Sequence, residues 1–152
     1  MDLHYSYFDN LNVINREGKK MSFAPNELWY TSTMISFQHH KLYYITKGKC
    51  VITIYNKDYV GTEGSFFFIP AYTVHAYHSI QDEPFEQYYT HFDLYPTKTQ
   101  LFDIFNLPYM VDAKNNKKVV ELFSSYINAV ESSDIIEKIH IKSLKRCGIL
   151  QG

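Results

Sequence analysis

The chain has 152 residues, 45% of them hydrophobic and 20% charged, with a formal net charge of −1. A chain of that length folds as one domain and buries about 68–70% of the surface its unfolded form exposes, while the near-neutral charge argues against a duplex-DNA binder, which neutralises phosphates with a basic face. No apolar run reaches the roughly 20 residues of a membrane-crossing helix, and Met1 to Asn10 lacks a signal-peptide core, so the expected compartment is the cytoplasm.

Three segments follow in order: 1–27, an N-terminal arm and first strand region; 28–96, strand-rich; and 97–152, helical and packed on the strands. Between Leu28 and Phe92 the sequence alternates short β-prone runs with turn signals, at 34–37, 42–46, 51–55, 66–69, 74–79 and 85–92. The connections Lys47-Gly48-Lys49, Asn56-Lys57-Asp58 and Gly61-Thr62-Glu63-Gly64 are too short for helical crossovers, so the sheet is antiparallel and closed or double-layered. The aromatic fraction of 17%, from 14 Tyr, 11 Phe and one Trp, suits such strands and an aromatic-lined cavity. Cys50 lies in a strand pattern and Cys147 at a helix end, and both are read as unpaired thiols.

After Pro96 the period lengthens to about 3.6 residues. Val119, Leu122, Phe123, Tyr126, Ile127 and Val130 fall on one helical face, and Ser132-Ser133-Asp134 supplies a turn and an N-cap for a second helix. That helix carries Ile135, Ile136, Ile139, Leu144 and Cys147 as its stripe and Lys142, Lys145 and Arg146 near its C-terminal end, before Gly148. The stripe of Val119, Leu122, Tyr126, Ile136 and Ile139 offers more apolar surface than one intramolecular packing needs, which predicts a homodimer through these helices; an intramolecular cover is the competing reading.

The stretch Gly64-Ser-Phe-Phe-Phe-Ile-Pro-Ala-Tyr-Thr-Val-His75 joins a turn glycine, a buried strand, a ladder-ending proline and a histidine. Its Gly-x5-Pro-x4-His spacing resembles the second motif of cupin barrels. His40-Lys41-Leu42-Tyr43-Tyr44-Ile45-Thr46-Lys47-Gly48 stands at the distance of the first motif, and Tyr88-Tyr89-Thr90-His91-Phe92 follows. Together they resemble the amino-terminal effector-binding domain of AraC-type transcription regulators, over about residues 28–148. The resemblance implies a cupin-like antiparallel β-barrel, a double-stranded β-helix or jelly roll, followed by two C-terminal α-helices that commonly mediate dimers. It also implies an amino-terminal arm, here Tyr5, Tyr7 and Phe8, that folds over the pocket. DNA is read in that family by a carboxyl-terminal pair of helix-turn-helix motifs. This chain stops at Gly152 after the second helix, so it is expected to be the sensing half and to bind no operator alone; a free-standing cupin is the other possibility.

Many cupins hold a metal with two histidines and a glutamate from the first motif and a histidine from the second. His75 matches the last. His39 and His40 are adjacent and point to opposite faces of a strand, and the family glutamate falls near Lys41, a cation where a divalent metal needs a carboxylate. No metal and no other cofactor is therefore expected. Nor is a catalytic residue, since Asp58, Glu63, Asp82, Glu83 and Glu86 are scattered at turns without forming a pair for acid/base work; the enzymatic alternative is a small metal-dependent or sugar-isomerase-like cupin.

Ligand binding fits better. Alternation puts His75 and Tyr77 on one face of their strand and Gln87, Tyr89 and His91 on one face of theirs, and aromatic planes with convergent donors suit a sugar or another small polar molecule. In the arabinose-responsive member of the family, Tyr77 falls on a sugar-contacting tyrosine, Gln87 on a sugar-contacting histidine and Tyr89 on the tryptophan stacked against the sugar ring. The expected partners are a small, sugar-like effector and a second copy of the chain, with no membrane.

Overall fold

The computed structural model describes residues 12–95, 108–114, 116–118, 121–122 and 124–125. Among the described residues eight strands make up two antiparallel sheets: β1 (Asn12–Phe23), β2 (His40–Lys47), β3 (Cys50–Ile54), β4 (Lys57–Gly61), β5 (Ser65–Ile69), β6 (His75–Ser79), β7 (Phe85–Tyr95) and β8 (Met110–Asp112). The larger sheet has the order β1-β7-β2-β5-β8 and the smaller β4-β3-β6. Among the described residues the sheets do not join into a closed barrel, so the expected barrel is corrected to two facing sheets. Twisted sheets of three and five strands bury their inner faces against each other without needing closure.

The inner faces form the core: Tyr43, Ile45, Phe67, Ile69, Phe85 and Tyr89 from the larger sheet meet Cys50, Ile52 and Ile54 from the smaller. Leu42, Tyr44, Phe66, Phe68 and Phe92 alternate to the opposite face of the larger sheet and are buried as well, so β2 and β5 read as near-continuous apolar runs. Cys50 is a free, buried thiol, and no helix among the described residues is long and apolar enough to cross a membrane.

Several elements differ from the sequence reading. The run at 34–37 forms no strand; only Ile35 bridges His75, as Tyr30 bridges His78. Residues 29–35 instead flank β6, with Ser79 N–H donating to Trp29 O at 2.7 Å, Thr31 N–H to Tyr77 O at 2.9 Å and Ile35 N–H to His75 O at 2.7 Å. Tyr55 and Asn56, with φ of 47° and 66°, make the β3–β4 turn, a type I′ geometry matched to strand twist, and Lys57 and Asp58 already belong to β4. Lys117, Lys118, Glu121, Leu122, Ser124 and Ser125 have helical backbone, but the two C-terminal helices are not established as elements. The arm residues Tyr5, Tyr7 and Phe8 and the stripe residues Val119, Tyr126, Ile136 and Ile139 lie outside the described residues.

Gly64 shows why the motif needs glycine. Its φ is +92°, and a Cβ there would sit 2.3 Å from Lys114 Cα, because its N–H donates to Ile45 O at 2.8 Å and its carbonyl accepts from Ala113 N–H at 2.7 Å. Gly64→Ala should cost about 1–3 kcal/mol, read as a lower urea midpoint at unchanged m-value; a midpoint equal to wild type would contradict this packing.

Candidate functional site

The register of three strands builds the inner wall. Residues opposite each other in an antiparallel pair share a face, and three rungs cross β1, β7 and β2: Glu17–His91–Lys41, Lys19–Tyr89–Tyr43 and Met21–Gln87–Ile45. Across from them β6 contributes His75 and Tyr77, opposite Ile54 and Ile52 of β3.

At the first rung these faces meet. Lys41 is 3% exposed, and its Nζ donates to His75 Nε2 at 3.2 Å. The same ammonium stands 4.6 Å from the Phe37 ring centroid and 5.8 Å from that of Tyr77. His75 is wholly buried, and its Nδ1 lies 2.8 Å from Thr73 O. A carbonyl only accepts, so Nδ1 carries the proton and Nε2 offers its lone pair to Lys41. Burial lowers the Lys41 amine to about 8. Burial, reinforced by the Lys41 charge, lowers His75 to about 4 against the hydrogen bond to Thr73, and burial with Lys41 also lowers His91 to about 4 against the pull of Glu17.

These residues do not fit a cupin-type metal. The His75 lone pair that would ligate is already turned to an ammonium. His39 Nδ1–H donates to Asp93 Oδ1 at 2.8 Å, whereas His40 Nδ1 on the opposite face accepts from Ala71 N–H at 2.8 Å. Among the described residues no three His, Cys, Asp or Glu side chains converge as a ligand set.

Tyr89 donates to Glu17 Oε1 at 2.6 Å; burial and this carboxylate raise its phenol above the ordinary range. Its ring lies 5.1 Å from His91, as does Phe37 from the other side. Tyr77 stacks on Trp29, with centroids 3.9 Å apart and planes at 14°, and Trp29 also stacks on Phe85 and meets Tyr43 edge-on. Of the five residues proposed from sequence, His75 and Tyr77 thus stand against Lys41, His91 lies opposite it on β7, and Tyr89 lies against His91. His75 sits fully buried. Gln87 is two rungs away, about 13 Å along the strand, and its buried amide has no hydrogen-bond partner for either Nε2 or Oε1 among the described residues.

Sequence reasoning missed Phe37, Trp29 and Lys41 as parts of this wall. Lys41 was legible as an inward residue, since it alternates with Tyr43 and Ile45; the singularity of Trp29 was the available signal for the other face.

The two depressed histidines set a pH dependence. Between about 4 and 6.5 the unfolded chain binds protons that folded His75 and His91 refuse, so stability present at pH 7 is lost as pH falls through that window. Urea unfolding from pH 7.5 to 4.5 should show this decline, flattened in His75→Gln, with the His75 imidazole still neutral by NMR at pH 5.5.

Known proteins agree with this architecture. The model of the AraC-like ligand binding domain matches residues 29–101. No curated protein matches the chain by sequence. Among solved structures, ToxT from Vibrio cholerae strain SCE256, with an unsaturated fatty acid bound, superposes with a TM-score of 0.54 at 10% identity, covering 87% of this chain and 52% of that one. The plu4264 protein from Photorhabdus luminescens gives 0.41 at 22% identity over 57% of this chain and 68% of that one. A cupin superfamily protein from Desulfitobacterium hafniense DCB-2 gives 0.39 at 18% over 55% and 77%. At these identities the likeness to ToxT is one of fold, and the chain spans about half of it. The segment 29–101, which holds β2 to β7 and the Lys41, His75 and His91 cluster, is similar to AraC-like ligand binding domains.

Proposed function

We propose that this chain is the effector-sensing and dimerisation half of a transcription regulator, and that it binds a small polar molecule between the inner faces of its two sheets. The carrying observation is Gln87: a wholly buried amide with neither atom bonded among the described residues, on the wall that also presents Tyr89 and His91. An unsatisfied buried polar group costs roughly 1–3 kcal/mol, and a hydroxylated ligand reaching it would offset that cost. Sugars are the first class to test, because ring faces of tyrosine accept C–H surfaces while amide and imidazole groups bond hydroxyls. The reading is non-enzymatic, supported by the family match and by the committed lone pair of His75.

Occupancy would act by population shift, an effector that favours one arrangement of arm and helices changing how the DNA-reading part is presented. The chain itself carries a charge of −1, too little positive charge to displace phosphate counterions.

Two outcomes are expected. A thermal-shift screen of sugars and small metabolites should find a ligand that raises Tm, and Gln87→Leu should abolish that rise while leaving the ligand-free protein as stable as wild type or more so; an unchanged ligand response in Gln87→Leu would remove the amide from the site. Sedimentation at tens of micromolar should show a dimer through Val119, Leu122, Tyr126, Ile136 and Ile139, and a monomer would favour the intramolecular helical cover.

A further inference from the structure

We infer that the effector carries a carboxylate, held by the Lys41 ammonium at the end of the inner wall. The inference rests on the effector-binding reading above and names the chemical class that reading leaves open. Lys41 is 3% exposed, yet among the described residues no carboxylate lies within ion-pairing distance of it. Its surroundings are a neutral imidazole nitrogen at 3.2 Å and the faces of Phe37 and Tyr77. These solvate a cation in part and leave its charge uncancelled.

The nearby carboxylates are committed elsewhere. Glu17 accepts from the Tyr89 hydroxyl at 2.6 Å and stands 3.7 Å from His91, while Asp93 is shared between Arg16 at 2.7 Å and His39 at 2.8 Å. A buried charge without a counter-ion costs several kcal/mol, so a fold that keeps one there suits a counter-ion that arrives with a ligand. Burial alone brings the amine only to about 8, which leaves it protonated in most molecules at pH 7.

The single charge also decides which anion. Among the described residues Arg16 is tied to Asp93, His75 and His91 are held neutral by burial, and Lys19, one rung along the wall, is exposed on the edge strand. One buried ammonium without a carboxylate partner among the described residues matches one carboxylate better than a phosphate dianion. The aromatic groups around it fit a ligand whose body is apolar or a ring.

Matched acids and neutral compounds test this: D-galacturonate against D-galactose, and phenylacetate against phenylacetamide. Trp29 is the chain's only tryptophan and stacks on Tyr77, the ring beside Lys41, so its fluorescence reports occupancy alongside Tm. An acid should bind at least about tenfold more tightly than its neutral partner. Lys41→Met and Lys41→Gln should weaken it about ten- to a hundredfold, with Lys41→Arg recovering part of the loss. Ligand-free Lys41→Met should melt no lower than wild type, since it removes an uncompensated charge. Neutral compounds that bind as well as the acids, or acid affinity unchanged in Lys41→Met, would overturn the carboxylate and leave the effector reading standing. Silence from both acids overturns the inference, and silence from all four compounds together with an unresponsive metabolite screen counts against the effector reading as well.

Discussion

Strand β7 is the constraint on which the rest depends. Eleven residues long, it lies between β1 and β2 and pairs with both, so its two-residue alternation decides what faces the smaller sheet. Phe85, Gln87, Tyr89 and His91 point inward while Thr90 and Phe92 point away. A slip of one residue would exchange the two sets, removing the imidazole beside Lys41 and the phenol beside Glu17 together. The bulges near Arg16 in β1 and near Thr46 in β2 absorb the extra residues without disturbing that register.

The segment from Trp29 to Phe37 gives the wall its second side. Hydrogen bonds to Ser79, Tyr77 and His75 fix its backbone along β6. One end delivers the indole into the aromatic stack of the core, and the other delivers Phe37 over Lys41 and against His91. Contact at one end is therefore mechanically linked to packing at the other, through nine residues bound to a strand that itself carries His75.

How much of this the sequence discloses depends on burial. Strands β2, β3, β5, β6 and β7 are legible because apolar side chains recur on them and Gly48, Gly64 and Pro70 punctuate their ends. β1 shows in the sequence only as a first strand region without bounds, since Arg16, Glu17, Lys19 and Lys20 are largely solvated on an edge strand, where charge is a normal protection against wrong pairing. β4 hides because Tyr55 adopts positive φ, a conformation that bulky residues seldom take, so the turn comes earlier than the polar Asn-Lys-Asp cluster suggests. The run at 34–37 misleads for the opposite reason: it is apolar enough for a strand, yet only Ile35 finds a bridging partner. Alternation puts Tyr77, Tyr89 and His91 on the inner faces. It cannot show that Lys41 lacks a carboxylate, because that depends on Glu17 and Asp93 being engaged by residues more than fifty positions distant.

The edge position of β1 has a consequence for how the chain assembles. Among the described residues β1 pairs with β7 alone, and one ion pair between them joins Arg16 to Asp93, 77 positions apart. Closing a loop of that size is entropically costly before any ladder bond rewards it, whereas β2, β3 and β4 follow one another through tight turns. β1 is thus a late arrival in folding and an early departure in local unfolding. Glu17 travels with it, so the side of the wall that holds Tyr89 and His91 in place lies on an edge of the sheet, and its amides should exchange with solvent ahead of those of the central strand β2.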